Sequence, residues 1–208
     1  KRTAVHFHAK DDPPEVRFLV YKLLAKHDLR FVAVVRDKLR LLDYAQQRRR
    51  IDPAYRYDPD GHELYDELTR HLFSRMHGLN HHKIVFAQRG HKPRTKAFVD
   101  AIEHEHEHGT IPEESGLARP KPTEVLCSFP KDHAGLQAVD YYLWALQRFY
   151  ERSEVRYLNF VWPQILEVLD LDLPQGASQF KQQSTVFNQE HPLTLESRAG
   201  VGKKDREI

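Results

Sequence analysis

The chain has 208 residues, of which 40% are hydrophobic and 30% are charged, and its formal net charge is +2 with neutral histidines. This composition indicates a soluble globular protein, and the length suits one domain with a substantial core. No apolar run reaches the roughly eighteen residues that would predict a membrane span, so we expect no membrane partner. Cys127 is the only cysteine, which excludes an intrachain disulfide and a multi-cysteine zinc site and predicts a cytoplasmic location.

The positive charge is concentrated in two short stretches, although the global charge is close to neutral. One is Arg48-Arg49-Arg50, and the other, within residues 89–96, consists of Arg89, His91, Lys92, Arg94 and Lys96. Clusters of this kind can bind phosphates, so a nucleic acid is one candidate partner. A solvated surface is the more common role for such runs, and the near-neutral global charge leaves a protein partner equally open.

The first half of the chain predicts helices that alternate with strands. Pro13 and Pro14 stand where a missing N–H costs nothing, so they predict the start of a helix over residues 15–27. A nearly continuous β-branched run predicts an internal strand over residues 29–36. Residues 39–57 fit either a short helix or an irregular basic segment. An amphipathic pattern then predicts a helix over residues 62–77, ended by Gly78, before a strand over residues 83–88.

The second half continues this alternation and then changes character. Pro93 predicts another helix start, and a polar loop precedes a third strand over residues 123–129. Residues 134–153 predict a long, well-buried helix, and residues 156–169 predict a further helical segment, kinked near Pro163. Beyond Leu173 the sequence is rich in Gln, Ser, Asn, Gly and Lys. We therefore predict an α/β domain over residues 1–173 and a loosely packed tail or partner-binding extension over residues 174–208.

Asp140 stands out in the long predicted helix. An apolar stripe with steps of three and four residues runs along it, formed by Leu136, Val139, Leu143, Leu146 and Tyr150. Asp140 lies at the margin of this stripe, where a carboxylate has to be neutral, paired or bound to a cation. A structural pairing and a metal-binding role are both open. Gln137, on the same side of the helix, can orient a carboxylate or contact a substrate.

Three stretches between residues 7 and 150 carry a resemblance to a known family. The first is Phe7-His8-Ala9 with the following helix and its Arg17. The second is VAVVRDK, a strand that ends in Asp37-Lys38. The third and most specific is GLQAVDYYLWALQR, which contains Gln137 and Asp140. Together they resemble the bacterial and archaeal family called domain of unknown function 3800, which is assigned to the ribonuclease H-like superfamily.

The resemblance implies a ribonuclease H-like α/β fold, with a mixed central sheet flanked by helices. The family's other signature, an Asp-Glu pair on its first strand, does not occur before the Phe7-His8 stretch. The first strands of the fold are therefore expected to be missing from this chain. In ribonuclease H-like enzymes, carboxylates over the sheet hold Mg²⁺ or Mn²⁺, which activate water for phosphodiester cleavage.

The resemblance also assigns roles to individual residues. Asp140 would be the metal ligand and a catalytic residue, because such ions keep several waters and need few carboxylates. Asp37, at a strand end, is a second catalytic candidate. Gln137 would support the ligand or contact the substrate. Lys38 faces a phosphate or pairs with Asp37, and His8 lies near the site or in the core.

Two functions follow from these observations. The first is a divalent-metal-dependent nuclease or phosphodiesterase, in which Arg89 of the second basic cluster is a further substrate-binding candidate. The second is a non-catalytic interaction module, for example one component of a defence or mobile-element complex. In that case the C-terminal tail and surfaces at Trp144 and Trp162 would bind another protein. The absence of the Asp-Glu pair favours the second function for the chain as it stands.

Overall fold

The computed structural model describes residues 6–56, 62–75, 83–88, 99–100, 124–172 and 185–198. These residues form a mixed α/β fold with a small mixed sheet and several helices. In chain order the elements are α1 (Pro14–Leu24), β1 (Phe31–Val35), α2 (Lys38–Ile51), α3 (His62–Arg75), β2 (Lys83–Ala87), β3 (Glu124–Ser128), α4 (Ala134–Arg152), α5 (Val155–Val161), β4 (Ile165–Asp170) and β5 (Thr185–Phe187). Every described helix is too short or too polar to pass through a bilayer.

The main sheet has three strands in the order β1-β4-β5. β1 and β4 run parallel, with Phe31 opposite Ile165 and Val35 opposite Asp170, whereas β5 is antiparallel to β4. Apolar residues dominate β1 and β4, as is typical of parallel strands that are covered on both faces. A second sheet pairs β2 with β3 in parallel. The carboxyl ends of β1 and β4 therefore meet at the same end of the main sheet.

The long helix α4 supplies the centre of the hydrophobic core. Its Tyr141, Ala145 and Phe149 are completely buried, and Tyr142 stacks on Phe31 of β1 with ring centroids 4.7 Å apart. An aromatic pair of this kind contributes about 0.5–1.5 kcal/mol beyond its buried area. Burial raises the pKa of Tyr142 to about 12. One face of α4 is thus held against the main sheet.

The C-terminus of α4 is closed by a left-handed residue, Ser153, with φ at 56°. The N–H of Ser153 donates to the Phe149 carbonyl at 3.0 Å, and the N–H of Glu154 donates to the Arg148 carbonyl at 3.2 Å. These two bonds satisfy carbonyls in the last turn of the helix, and the bond from Ser153 is the one that defines an αL motif. The Arg148 guanidinium also donates to the Glu154 carboxylate, and this bond lowers the pKa of Glu154.

Most predicted elements are confirmed. The strands expected at residues 29–36, 83–88 and 123–129 are β1, β2 and β3, and the helices expected at residues 15–27, 62–77 and 134–153 are α1, α3 and α4. Of the two alternatives for residues 39–57, the helix is correct over Lys38–Ile51. The expected helix end at Gly78, helix start at Pro93 and polar loop before β3 lie outside the described residues.

The helical segment predicted over residues 156–169 is wrong beyond Val161. A 3₁₀ turn, Trp162–Gln164, contains Pro163, and the chain then continues as β4. A short apolar run fits one face of a helix and a buried strand equally well. Here the proline ends the helix, and hydrogen bonding to β1 favours the strand.

The expectation of a loosely packed tail is wrong for residues 185–198. Thr185–Phe187 forms β5, and its Phe187 is completely buried, while Leu193 is 4% exposed. The side-chain amide of Gln189 donates to the carbonyls of Trp162 and Ile165, both at 2.8 Å. A segment with few apolar residues can still add a strand, because the ladder with β4 is made by backbone groups.

Candidate functional site

A cavity of about 490 Å³ opens at the carboxyl ends of β1 and β4, and we call it the strand-end cavity. The residues after β1 give it a polar side, formed by Arg36, Asp37, Lys38 and Arg40. The end of β4 adds Asp170 and Asp172, and α4 and α3 add an apolar side with Leu143, Leu146 and Leu68. In open α/β sheets, ligands bind at the carboxyl ends of the strands, so the location suits a binding site.

Two oppositely charged side chains are buried at the strand-end cavity. The side chain of Arg36 is 6% exposed and that of Asp172 is 8% exposed, and Nη1 of Arg36 lies 3.6 Å from Oδ1 of Asp172. That distance is too long for a hydrogen bond. Nε of Arg36 is buried and has no hydrogen-bond partner among the described residues. The guanidinium therefore keeps donors that a bound molecule could use.

Asp172 is held by the backbone at the start of α2. Its Oδ2 accepts a hydrogen bond from the N–H of Asp37, and its carbonyl accepts one from Arg40. Burial raises the pKa of the Asp172 carboxyl above its ordinary value, while the Asp37 N–H and the Arg36 guanidinium act in the opposite direction. Because desolvation is the larger effect, an additional cation beside Asp172 would stabilise the carboxylate.

Asp170 and Tyr150 form the inner part of the same cavity. Asp170 is 3% exposed, and its Oδ1 accepts the N–H of Asp172 at 3.0 Å. Burial, and after it the Asp170 carboxylate, raise the pKa of Tyr150, so its hydroxyl keeps its proton at neutral pH. That hydroxyl is buried, and the Asp170 carboxylate lies close enough to act on it as an acceptor, although no contact among the described residues meets strict hydrogen-bond geometry. Arg198 packs on the Tyr150 ring at 4.7 Å from its centroid.

Asp37 and Lys38 both lie at the strand-end cavity. The carboxylate of Asp37 caps α2, because its Oδ1 accepts the N–H groups of Leu39 at 2.8 Å and Arg40 at 3.5 Å. A capping Asp of this kind satisfies amides that the helix itself leaves open. Lys38 is exposed at the cavity rim. Of these two sequence candidates, Asp37 has a structural task and Lys38 is available to a ligand.

Gln137 and Asp140 lie together on α4, where they hold the segment before α1. Oδ2 of Asp140 accepts the N–H of Ala9 at 2.8 Å, and Oε1 of Gln137 accepts the N–H of Phe7 at 3.0 Å. We call this arrangement the amide clamp. The two acceptors are three positions apart in the sequence and therefore lie on the same side of α4. The Asp140 carboxylate thus makes the kind of contact that its structural interpretation requires.

His8 and Asp12 complete the segment that the amide clamp holds. The N–H of His8 donates to Oδ2 of Asp12 at 2.9 Å, and the Tyr141 hydroxyl donates to the same oxygen. Asp12 is 6% exposed, so its charge is compensated by these donors rather than by water. Nδ1 of His8 lies 3.3 Å from the exposed Asp11 carboxylate. His8 is therefore a partly exposed neighbour of the clamp.

The sequence candidates fall into two places. Gln137, Asp140 and His8 belong to the amide clamp, Asp37 and Lys38 line the strand-end cavity, and Arg89 lies outside the described residues. The clamp and the cavity share α4: position 143, in the cavity wall, follows position 140 by about 4.5 Å along the helix axis. Among the described residues, no group of three His, Cys, Asp or Glu side chains could hold a metal ion.

Sequence reasoning missed Arg36, Tyr150, Asp170 and Asp172. The signal was present in LEVLDLD, where two acids two positions apart end an apolar run. This pattern points to a site only if LEVLDLD forms a strand, because Asp170 and Asp172 then lie at the carboxyl end of a sheet. The prediction of a helix over this run hid them.

No protein-family model, curated protein or solved structure matches this chain. The resemblance in the three quoted motifs stays a prediction, and so does the ribonuclease H-like assignment of the α/β fold. Function is therefore inferred from the amide clamp and the strand-end cavity.

Proposed function

We propose that this protein is a divalent-metal-dependent phosphodiesterase or nuclease of the ribonuclease H-like kind, with its reaction centre in the strand-end cavity. One observation carries the proposal: two buried carboxylates, Asp170 and Asp172, lie in the same cavity as the buried Arg36, at the carboxyl ends of two parallel strands. Carboxylates suit Mg²⁺ and Mn²⁺, and a guanidinium suits phosphate.

The charge balance of the strand-end cavity supports a ligand of mixed charge. Among the described residues, the lining has equal numbers of cationic and acidic side chains: Arg36, Lys38, Arg40 and Arg198 against Asp37, Asp170, Asp172 and Glu151. A bare anion or a bare cation would match only half of this lining. A phosphate accompanied by a divalent cation matches both halves.

Two of the described carboxylates in the cavity, those of Asp170 and Asp172, could be ligands of an ion. Hard cations that retain several waters are commonly held by one or two carboxylates together with substrate phosphates. When bound, such an ion would supply an activated water and stabilise the leaving oxygen. Asp170 and Asp172 would hold it, while Arg36 and Lys38 would orient the phosphate.

Asp140 and Gln137 take a different role in this proposal. Both are positioning residues, because their side chains fix residues 7–9 through backbone amides. The resemblance assigns the metal to Asp140, and this assignment remains a competing form of the proposal. The two forms predict different results for substitution by Asn. Loss of ion binding is expected at Asp170 in one form and at Asp140 in the other.

The deciding experiment combines Mn²⁺ binding by calorimetry with cleavage of single- and double-stranded DNA and RNA in Mg²⁺ or Mn²⁺. Asp170→Asn should weaken Mn²⁺ binding and slow cleavage by at least roughly tenfold. Asp43→Asn, on an exposed position of α2, is the matched control and should change neither. A folded wild-type chain that cleaves none of these nucleic acids would refute the proposal.

A non-catalytic interaction module is the second candidate function, and exposed apolar side chains favour it. Leu19 and Leu23 lie one turn apart on α1 and are 64% and 53% exposed. Exposed apolar surface that is contiguous marks protein contacts. This function predicts that the folded chain cleaves no nucleic acid with either metal, so the same cleavage experiment separates the two candidates.

A further inference from the structure

We infer that the strand-end cavity accepts a single nucleotide unit, with its phosphate at Arg36 and its base on the apolar side formed by Leu68, Leu143 and Leu146. The inference rests on the proposed function and narrows its substrate to the terminal nucleotide of a nucleic acid, whose hydrolysis would release a mononucleotide that fits the same cavity. Size, the two-sided lining and the unused donors of Arg36 carry it.

The size of the cavity fits a small ligand. Its volume of about 490 Å³ falls in the range of small-molecule pockets, about 300–1,000 Å³. Proteins that bind along a nucleic-acid strand instead use grooves that follow about 4–16 nucleotides. A pocket of this volume at the end of two strands therefore suits one unit better than a continuous strand.

The lining of the cavity is divided by chemistry. Arg36, Lys38 and Arg40 follow β1 on one side, whereas Leu143 of α4 and Leu68 of α3 are apolar. Leu143 is 51% exposed, so a ligand that covered it would remove apolar surface from water. Inorganic phosphate would leave this side uncovered, and a nucleoside would leave the cations unmatched. A nucleoside monophosphate satisfies both.

Arg36 is the contact that fixes the phosphate. More than nine-tenths of its side chain is buried, its Nε has no hydrogen-bond partner among the described residues, and its Nη1 is 3.6 Å from Asp172. A guanidinium with a free Nε presents the planar fork that phosphate oxygens match in pairs. The position of Arg36, directly after β1, places the phosphate at the mouth of the parallel pair.

The test is calorimetric titration of the full chain with nucleoside monophosphates, inorganic phosphate and nucleosides, each with and without Mg²⁺. A monophosphate should bind at least roughly tenfold more tightly than phosphate or nucleoside alone. Leu143→Gln should weaken monophosphate binding several-fold and leave phosphate binding unchanged. Arg36→Met should weaken both, and Arg30→Met, at the opposite end of β1, should weaken neither.

Lys38→Met keeps the test decisive if Arg36→Met fails to fold, because Lys38 is exposed and lines the same cavity. It should weaken monophosphate binding two- to fivefold, by loss of one phosphate contact. Absence of monophosphate binding, or equal affinities for monophosphate and phosphate, would overturn the inference.

Cleavage of a polynucleotide, measured on the same variants, separates this inference from the proposed function. Metal-dependent cleavage without monophosphate binding would remove the inference and leave the nuclease. Monophosphate binding that Leu143→Gln weakens, without any cleavage, would support the nucleotide site and remove the nuclease.

Discussion

The amide clamp and the strand-end cavity lie beside the same helix, α4, and in both a carboxylate accepts a backbone N–H, but the cavity adds the buried guanidinium of Arg36 beside its carboxylate. In the clamp, Asp140 accepts a hydrogen bond from the backbone of Ala9 at 2.8 Å. In the cavity, Asp172 accepts the N–H of Asp37 and also lies 3.6 Å from Arg36, whose Nε has no hydrogen-bond partner among the described residues. The clamp is satisfied from within the chain, whereas the cavity retains buried donors that an external molecule can match.

The comparison shows that the partners of a carboxylate decide what it does. Asp140 belongs to the motif with the strongest resemblance, but the structure gives it a backbone amide to hold. Asp170 and Asp172 lie outside the three stretches that carry the resemblance, but they lie where parallel α/β sheets bind ligands. Changes that remove each carboxylate should therefore have different consequences for stability and for binding.

The largest expected effect is the loss of the buried charge pair. Asp172→Ala leaves Arg36 buried without its counter-charge, so we expect the free energy of unfolding to fall by about 3–5 kcal/mol. Urea unfolding followed by circular dichroism measures this. Replacing both partners, with Arg36→Met and Asp172→Leu, should restore much of the loss, because no uncompensated charge is then buried. A loss below about 1 kcal/mol for Asp172→Ala would show that the pair is hydrated.

The amide clamp should distinguish between Asn and Ala at position 140. Asp140→Ala removes the acceptor of the Ala9 N–H, and Ala9 is completely buried, so we expect a loss of about 1–3 kcal/mol in urea unfolding. Asp140→Asn keeps an oxygen acceptor and should cost less than about 1 kcal/mol.

Mn²⁺ binding by the Asp140 variants tests whether the amide clamp is only structural or also holds an ion. If Asp140 holds the ion, Asn and Ala at this position should abolish Mn²⁺ binding alike, whatever their effects on stability. If the clamp is only structural, Asp140→Asn should bind Mn²⁺ as the wild type does, and Asp170→Asn should not.

The pH dependence of the free energy of unfolding should reveal the raised pKa of Asp172. Its pKa is raised from the ordinary value of 3.8, so the folded state binds this proton more tightly than the unfolded state. The contribution of Asp172 to the free energy of unfolding is then greatest at low pH and falls as pH rises through the interval above 3.8. Asp172→Asn cannot titrate, so wild-type stability minus variant stability should decrease across that interval and level off above it.

Urea unfolding at closely spaced pH values between about 3 and 7 measures this difference. Asp43→Asn, on the exposed face of α2, gives the background from the remaining acids. A difference that increased with pH would mean that the attraction of Arg36 exceeds the effect of burial.

The elements with strong periodic patterns could be predicted from the sequence. The strands that form only by pairing with a distant segment could not. The apolar stripe of α4 and the β-branched run of β1 are local signals, so both were placed correctly. β4 and β5 depend on partners far away in the chain. LEVLDLD fits a helix until β1 is beside it, and Thr185–Phe187 is a strand only because β4 offers a free edge.

The residues of the candidate site also fall into those that a local pattern reveals and those that only strand pairing brings together. Gln137 and Asp140 were recognisable because they stand out within one helix. Arg36, Asp170 and Asp172 are brought together by the parallel register of β1 and β4, in which Val35 lies opposite Asp170. No pattern within a single segment predicts that register. Because a helix was predicted for most of β4, Asp170 and Asp172 were not recognised as cavity residues.

The smallest expected effect concerns the helix that the clamp and the cavity share. Ser153 ends α4 with φ at 56°, a conformation that costs a residue with a Cβ about 1–2 kcal/mol. Glycine removes that cost but gains freedom in the unfolded chain, so Ser153→Gly should raise the free energy of unfolding by about 0.5 kcal/mol. Because Ser153 belongs to neither the clamp nor the cavity lining, Mn²⁺ and nucleotide binding should not change. A binding change in this variant would show that the two regions are coupled through α4, and the contrast between them would then describe one connected site.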